Sequence, residues 1–482
     1  MTDVVGKLWG FAGTLRHDGV DYGDYIEQLT YLLFLKMADE QGIALPTYRE
    51  AAPAGRGVEV PCDWPYLRQQ SGTALTDYYG NLLATLGKQH GILGDIFAGA
   101  MNRLGNPVSL ARLIGEIDAT DWTALDVDVK AAAFEGLLER SAAEGKKGAG
   151  QYFTPRPLIR TIVRTMRPDP RDKRDFTICD PACGTGGFLV AAYEWLRDQS
   201  KGALDRDTAR RVRKSTYFGQ ELVARPRRLA LMNLYLHQVE PHIALGDSIY
   251  EAPPGRRFDV VLTNPPFGNR GASQVPHRDD FTIETANKQL NFIQHVLTIL
   301  KPGGRAAVVV PDNVLFADKA GEVFKILMED ANVHTILRCP RGTFNPYTAG
   351  TKTNVVFFTK GRSTERVWVY DARANVPAMT KKSRPLTEVF FNEFVECFGS
   401  DPDGGSPRKA DLANDRWRAF DIDDVKARDY KIDSFKWLRD EELEDPDDID
   451  PAELLAEALS ALQESVQELA ELQMLVAVEP ES

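Results

Sequence analysis

Asp180-Pro181-Ala182-Cys183-Gly184-Thr185-Gly186-Gly187-Phe188-Leu189 follows a short apolar run, Phe176–Cys179, and opens a helical pattern that continues to Arg197. Glycines let a backbone turn tightly and come close to a ligand. A strand, a glycine turn and a helix in that order predict the carboxyl edge of an open α/β sheet, where such sheets bind ligands. The spacing is G-x-G-G, not the G-x-G-x-x-G of dinucleotide sites, and no Lys-Ser/Thr pair follows as in a P-loop. Working outward, further apolar runs appear at Thr216–Gly219, Ile243–Leu245, Phe258–Leu262, Arg305–Val310 and His334–Leu337. Helical segments such as Arg225–His237 and Asn287–Leu300 separate them. This alternation predicts a doubly wound, mainly parallel sheet. The run Thr353–Thr359 follows its predecessor with no helix between, so it is expected to lie antiparallel at that end of the sheet.

Two more strand ends carry acids. Glu221, in Phe218-Gly219-Gln220-Glu221, is placed to accept hydrogen bonds from ribose hydroxyls. Asp247, in Gly246-Asp247-Ser248, is placed to bind an adenine amine. Alone, each acid would more often be solvated or cap a helix. Asp180, Glu221 and Asp247 on successive strand ends describe a pocket for a nucleoside with a charged amino-acid arm.

Asn264-Pro265-Pro266-Phe267 follows the fourth strand. These residue types suit methylation of an aromatic amine such as that of adenine. The amine's lone pair is delocalised into the ring, so it is a poor nucleophile. The Asn264 side-chain oxygen and the Pro265 carbonyl can accept its two hydrogens and favour a pyramidal nitrogen. Prolines stiffen the loop, which fixes the acceptors before reaction. Phe267 offers a face for an extruded base, worth about 1–3 kcal/mol, and extrusion costs a few kcal/mol.

The segment Gly150-Gln151-Tyr152-Phe153-Thr154-Pro155-Arg156 resembles the one that precedes the sheet in amino-group DNA methyltransferases of the gamma motif order. With DPACGTGGFL, NPPF and the later Thr351-Lys352-Thr353-Asn354-Val355-Val356-Phe357-Phe358, nearly the whole chain is similar to the methylation subunit of type I restriction-modification systems. The resemblance implies that Gln151, Tyr152, Phe153, Thr154, Pro155, Arg156, Thr185, Gly186, Gly187 and Glu221 line the S-adenosylmethionine site, with adenine N6 in DNA as target. It also implies a separate specificity subunit and a restriction (motor and nuclease) subunit as partners, with two methylation subunits per specificity subunit. The weaker alternatives are a self-sufficient adenine DNA methyltransferase, a protein glutamine methyltransferase and a catalytically dead scaffold.

The sequence divides into a helical N-terminal domain (1–145), a catalytic domain (146–375) and a helical, partner-docking C-terminal tail (376–482). A hinge is expected at Gly145–Gly150, where glycines cluster. In the N-terminal part, Tyr25–Leu35 reads as a buried helix and Asp126–Ser141 as an amphipathic one. The 482 residues carry a net charge of -12, unevenly spread. From Asp421 onward there are 20 acidic and 5 basic residues, which leaves the rest of the chain near +3. Between Arg156 and Arg228 there are 17 basic and 9 acidic residues, a modest surplus around the motifs. Such a chain is not expected to hold DNA tightly alone. Leu455, Leu459, Leu462, Val466, Leu469 and Val476 form an apolar seam on a final helix, interrupted at Gln473. It suits either a partner helix or its own domain. No run approaches the roughly 18 apolar residues of a membrane span, and no secretion signal is evident. Five cysteines without paired spacing and seven scattered histidines point to a reduced, cytoplasmic protein without a metal site.

Overall fold

The computed structural model describes residues 22–50, 57–122, 154–253, 255–267, 274–344, 351–380, 384–409, 414–432 and 437–438. The expected helix at 126–141, the hinge at 145–150, Gln151, Tyr152, Phe153 and the final helix lie outside them. The chain forms two compact units. One comprises residues 1–153 and 170–247, the other residues 154–169 and 248–482.

The first unit begins with the helix Tyr22–Glu40, whose residues from Leu29 to Leu35 are almost wholly buried. Further helices span Gly72–Gly87 and Pro107–Asp118. The latter starts where it does because the Asn106 side chain accepts from the Val108 and Ser109 amides and proline occupies the first turn. Its apolar positions Leu110, Leu113, Ile114 and Ile117 recur at helical spacing and are buried. Asp118 gathers the Trp64 indole N–H at 2.8 Å, the Lys36 ammonium at 3.2 Å and the Arg68 guanidinium at 2.8 Å. This part also holds a short antiparallel hairpin, β1 (Thr47–Glu50) and β2 (Val58–Pro61), which the helical reading missed. The Val58-Glu59-Val60 alternation was its only sequence signal.

The same unit carries three parallel strands, β3 (Ile178–Asp180), β4 (Tyr217–Glu221) and β5 (His242–Leu245), with β4 in the middle. The helices Gly187–Gln199 and Ala224–Leu236 are their crossovers. Each predicted strand and helix here is found within two residues of its expected ends.

The second unit contains β6 (Phe258–Thr263), β7 (Leu300–Pro311), β8 (Ala331–Arg338), β9 (Thr353–Lys360), β10 (Arg366–Asp371) and β11 (Trp417–Asp421). Its strand order is β11-β10-β8-β9-β7-β6. β9 runs antiparallel to β8, as expected, but it is also antiparallel to β7, so it is inserted between them rather than terminal. The reason is its composition. Seven of its eight residues are buried, a pattern that suits a strand paired on both sides. β10 extends the sheet parallel to β8, and β11 adds to it antiparallel. Within the segment read as a helical tail, Asn392–Phe398 is a helix but Trp417–Asp421 is this last strand. The Trp417 ring stacks on Trp368 at 5.0 Å.

A charged cluster ties the second unit's strand ends together. The buried Arg373 guanidinium reaches both Asp312 oxygens, at 2.5 and 3.0 Å, and the Thr353 carbonyl at 2.9 Å. Asn354 donates to Asp312 at 2.7 Å. Burial alone would raise the Asp312 carboxyl, but Arg373 and Asn354 hold it below the usual carboxylate range. A lowered carboxyl contributes stability above its unfolded pKa, and that contribution is lost as pH falls through the folded value. Arg373→Met should therefore destabilise the chain by on the order of 3 kcal/mol, the low end for breaking a buried ion pair. The low end applies because the Asp312 side chain keeps 26% exposure. The double variant Asp312→Leu with Arg373→Met should recover most of the loss. Urea unfolding at neutral pH measures both, and equal losses in the two variants would show that the pairing contributes little.

Candidate active site

The glycine loop of the first unit is held by β4. Asp180, 2% exposed, closes the turn by accepting from the Ala182 amide at 3.1 Å. The Cys183 amide donates to the Gln220 carbonyl at 3.0 Å. The Glu221 carboxylate accepts from the Gly184 amide at 2.9 Å with one oxygen and from the Val223 amide at 3.0 Å with the other. Asn233 donates to the Thr185 carbonyl at 3.2 Å. Parallel pairing sets Asp180 opposite Gly219 and Glu221 opposite Leu245, and the Gly246 amide bonds to the Glu221 carbonyl. Asp180, Glu221 and Asp247 thus stand on neighbouring strand ends, as the sequence reading required. Glu221 and Asp180 are buried, and Asp247 is half-buried.

The loop's two left-handed glycines have different reasons. Gly186, at φ 82°, begins the helix Gly187–Gln199, and a Cβ there would lie 3.1 Å from the Ala230 Cβ. Gly184, at φ 52°, faces open space, so a Cβ would meet nothing. The helix N-terminus beginning at Gly187 leaves backbone N–H groups without intrahelical partners, a suitable seat for a carboxylate. Burial raises the Glu221 carboxyl above its ordinary value, despite the backbone donors that lower it. A raised carboxyl favours folding at low pH, and that contribution is lost as pH rises through the folded value. Cys183 lies beside this pair, but burial, with the charges of Asp180 and Glu221, pushes its thiol well up. That excludes it as a ready nucleophile.

Asn264, Pro265, Pro266 and Phe267, the residues read as a catalytic loop, belong to the second unit, as do Thr154, Pro155 and Arg156. β6 is buried along its whole length and delivers Asn264 at its end. The Asn264 amide nitrogen donates to the Thr154 hydroxyl at 2.9 Å. Its Oδ1 is buried and has no hydrogen-bond partner among the described residues. Thr154 stands just before the helix Arg156–Met166, which is fixed at its far end by Arg305. That guanidinium donates to the Met166 carbonyl at 2.9 Å and the Arg167 carbonyl at 2.8 Å. On the other side of the loop, Gln289 donates to the Pro266 carbonyl at 2.8 Å. Phe267 is 9% exposed and meets Phe344 edge to face at 5.3 Å. Most of its surface is therefore already in use, and a base would reach only a limited part of the ring.

Sequence reading missed Gln289. The available signal was polarity inside an apolar helix. Gln289, Asn291, Gln294 and His295 are all buried in the helix Lys288–Ile299. Asn291 bonds to the Thr285 carbonyl, Gln294 to the Ile283 backbone and His295 to Arg278. The helix thus pins the segment that leads into it as well as Pro266.

Two family models match the chain: the N-6 DNA Methylase over residues 125–446 and the HsdM N-terminal domain over residues 4–117. The type I restriction enzyme StySPI methylase subunit of Salmonella potsdam is 37% identical, covering 97% of this chain and 94% of that one. The EcoKI methylase subunit of Escherichia coli K12 is 36% identical with the same coverage. The crystal structure of the EcoKI M protein matches 100% of this chain and 97% of that one, at 33% identity and a TM-score of 0.55. A solved chain from a structural account of assembly and conformational transition in the type I R-M system is 26% identical, covers 99% of each chain and gives a TM-score of 0.68.

Gly184 and Gly186 give a paired test of the loop. Either alanine variant would bear about 1–2 kcal/mol of left-handed strain. Gly186→Ala should lose more stability, because its methyl presses on the helix at Ala230. Gly184→Ala should keep most of its stability but bind S-adenosylmethionine at least ~10-fold more weakly, as its methyl would enter the ligand's space. Thermal unfolding and calorimetric titration separate the two. Unchanged cofactor affinity in Gly184→Ala would place the ligand elsewhere.

Proposed function

Given that the chain belongs to the N-6 DNA methylase family, we propose that it transfers a methyl group from S-adenosylmethionine to adenine N6 in DNA, as the modification subunit of a type I restriction-modification complex. One observation carries this reading: the buried Asn264 Oδ1 at the end of β6, an acceptor without a donor among the described residues. A buried acceptor left unpaired is costly unless a ligand supplies its donor. An exocyclic amine is such a donor. Conversely, a site with no amine to receive has little reason to keep that oxygen unpaired and next to two prolines.

The residues present fit the cofactor. Glu221 would accept from the ribose hydroxyls, since each carboxylate oxygen can take more than one hydrogen bond. Asp247 would take the adenine amine. Thr185, Gly186 and Gly187 would receive the methionine carboxylate at the helix start, with Asp180 holding the turn. The family resemblance adds Gln151, Tyr152, Phe153, Thr154, Pro155 and Arg156 to this site. When bound, S-adenosylmethionine supplies a methyl group activated by its positively charged sulfur. The chain's own part is to hold the target amine. Asn264 Oδ1 and the Pro265 carbonyl each accept one N–H, which draws the nitrogen lone pair out of the ring. The prolines keep the two acceptors in place, so little rearrangement is needed at the moment of reaction.

DNA, a specificity subunit and a restriction subunit are the proposed partners, with two copies of this chain per specificity subunit, working in the cytoplasm. The charge distribution supports a separate DNA reader, because an acidic C-terminal segment repels phosphates. The boundary at 375 falls inside the sheet, because β11 pairs with β10, and it is the acidic segment beyond that strand that would dock on the partner. No helix among the described residues is long and apolar enough to cross a membrane.

Asn264→Ala should lower methyl transfer at least ~100-fold, the effect of losing one preorganised polar group, and leave cofactor affinity nearly intact. Transfer of labelled methyl to duplex DNA, with mapping of methylated adenines, measures it, and wild-type rates in the variant would refute the reading. Glu221→Ala should weaken S-adenosylmethionine binding by about 1.5–3 kcal/mol, the range for hydrogen bonds to a charged group. The wild-type affinity should also decline as pH drops through a point above the ordinary glutamate range, because burial raises this carboxyl. Glu221→Gln should not show that decline. Calorimetry across pH decides it, and equal affinity in all three proteins would remove Glu221 from the site.

A further inference from the structure

Asn264 can present either end of its amide to a ligand, and only one end serves an amine. An oxygen accepts an amine hydrogen, whereas an NH2 group repels it. The two ends differ little in shape, so packing alone does not select between them. A hydrogen bond at the other end of the amide holds the side chain in place, although a hydroxyl can donate or accept and so fixes the position of the amide rather than which end is which. That bond runs from the Asn264 amide nitrogen to the Thr154 hydroxyl, at 2.9 Å. With its nitrogen engaged there, Asn264 leaves Oδ1 as the unpaired end. The loop's backbone has a comparable restraint. Gln289, 3% exposed, donates to the Pro266 carbonyl at 2.8 Å, one residue beyond the carbonyl that would accept the second amine hydrogen. This bond fixes the peptide that follows Pro266 and with it the course of the loop after Pro265.

We propose that Thr154 and Gln289 are positioning residues that set the two acceptors of the Asn264-Pro265 pair, Thr154 by holding the Asn264 side chain through its amide and Gln289 by anchoring the loop backbone. This rests on the adenine-methylation reading above and deepens it. It gives Thr154 a task besides lining the cofactor site, and it gives Gln289 a task in the reaction. Both residues are anchored independently of the loop. Thr154 leads into a helix held by Arg305, and Gln289 lies in the first turn of a helix capped by Asn287, which accepts from the Gln289 and Leu290 amides at 3.1 Å. Neither side chain is offered as touching the reacting atoms, so each acts through the loop.

The two ways of acting predict different kinetics from a cofactor contact. Thr154→Val keeps the shape but removes the acceptor, and Thr154→Ser keeps the acceptor. Thr154→Val should lower the single-turnover rate of methyl transfer ~10–100-fold, the range for small misplacement of a reacting group. Its affinity for S-adenosylmethionine should fall by a smaller factor than its rate, and Thr154→Ser should restore most of the rate. Gln289→Leu should show a similar loss of rate with unchanged cofactor affinity. In an Asn264→Ala background, Thr154→Val should cause no further loss, because its effect passes through the Asn264 side chain. The full chain, assembled with its specificity subunit, is the protein to use, with labelled S-adenosylmethionine and duplex DNA. If wild type methylates adenine and Thr154→Val keeps its rate, or loses cofactor affinity in proportion, the positioning role is overturned while the methylation reading stands. Additive losses in the Asn264→Ala background overturn it equally. If wild type transfers no methyl to adenine, both readings fall together.

Discussion

A buried oxygen that finds no donor among the described residues is the constraint around which the loop after β6 is held. Leaving Asn264 Oδ1 unsatisfied costs on the order of 1–3 kcal/mol, so the surroundings must hold it against relaxation. β6 is buried at every position and cannot yield. Pro265 and Pro266 restrict the backbone directly after it. Thr154 occupies the nitrogen end of the amide, and Gln289 holds the Pro266 carbonyl. These supports come from three separate stretches of sequence, and each is fixed by bonds away from the loop. Strain or unpaired polarity persists in folded proteins where its surroundings over-determine it, and such places are often functional.

The first unit meets the opposite demand. Its glycine loop must stay open towards a ligand, yet remain rigid. Side chains satisfy the loop's backbone from behind: Glu221 takes the Gly184 amide, and Asn233 takes the Thr185 carbonyl. Gly219 in β4 belongs to the same device, because a Cβ there would sit 3.2 Å from both the Asp180 carbonyl oxygen and the Cys183 Cβ. A Cβ at Gly184, by contrast, would meet nothing within 4 Å among the described residues. The loop is therefore stiffened on the protein side and bare on the other, which is the condition for binding a ligand through backbone atoms at small entropic cost.

Much of this was legible in the sequence, and the parts that were not share a cause. Strands β3 to β9 announced themselves because apolar runs alternating with helical patterns have few other readings. The places of Glu221 and Asn264 at strand ends were legible because apolar runs stop at or just before them. The place of β9 was not legible, since the order of strands depends on which edges remain unpaired after folding, and no local pattern records it. β10 and β11 were missed for a related reason. Arg366-Val367-Trp368-Val369 and Trp417-Arg418-Ala419-Phe420 are short and mixed in polarity, and their pairing joins residues about fifty positions apart. The long-range partners of Asn264 and Pro266 were equally hidden. Thr154 lies 110 residues before Asn264 and Gln289 lies 23 after Pro266. Sequence spacing reveals residues that act on one element, but not those that meet across elements.

Phe267 shows where chemical reasoning from a motif needs the structure beside it. Its ring was expected to serve as an open stacking face, yet 9% exposure and the edge contact with Phe344 leave little of it to a base. A flat, fully exposed ring would offer a stacking surface, but it would also be free to turn and would bind any base it met. A ring held edge to face against a buried neighbour has one orientation. It contributes less area and more definition, so a base that enters must align its plane with a fixed edge or with the narrow exposed part of the face. The energetic share assigned to stacking on Phe267 must then be smaller than the usual range for one base on one exposed ring. On the proposed reading the larger share of recognition falls to hydrogen bonds, and the buried Asn264 oxygen is one acceptor without a partner among the described residues. The same physical trade recurs through the chain. The groups that face a ligand are few, and most of the surrounding structure serves to prevent them from moving.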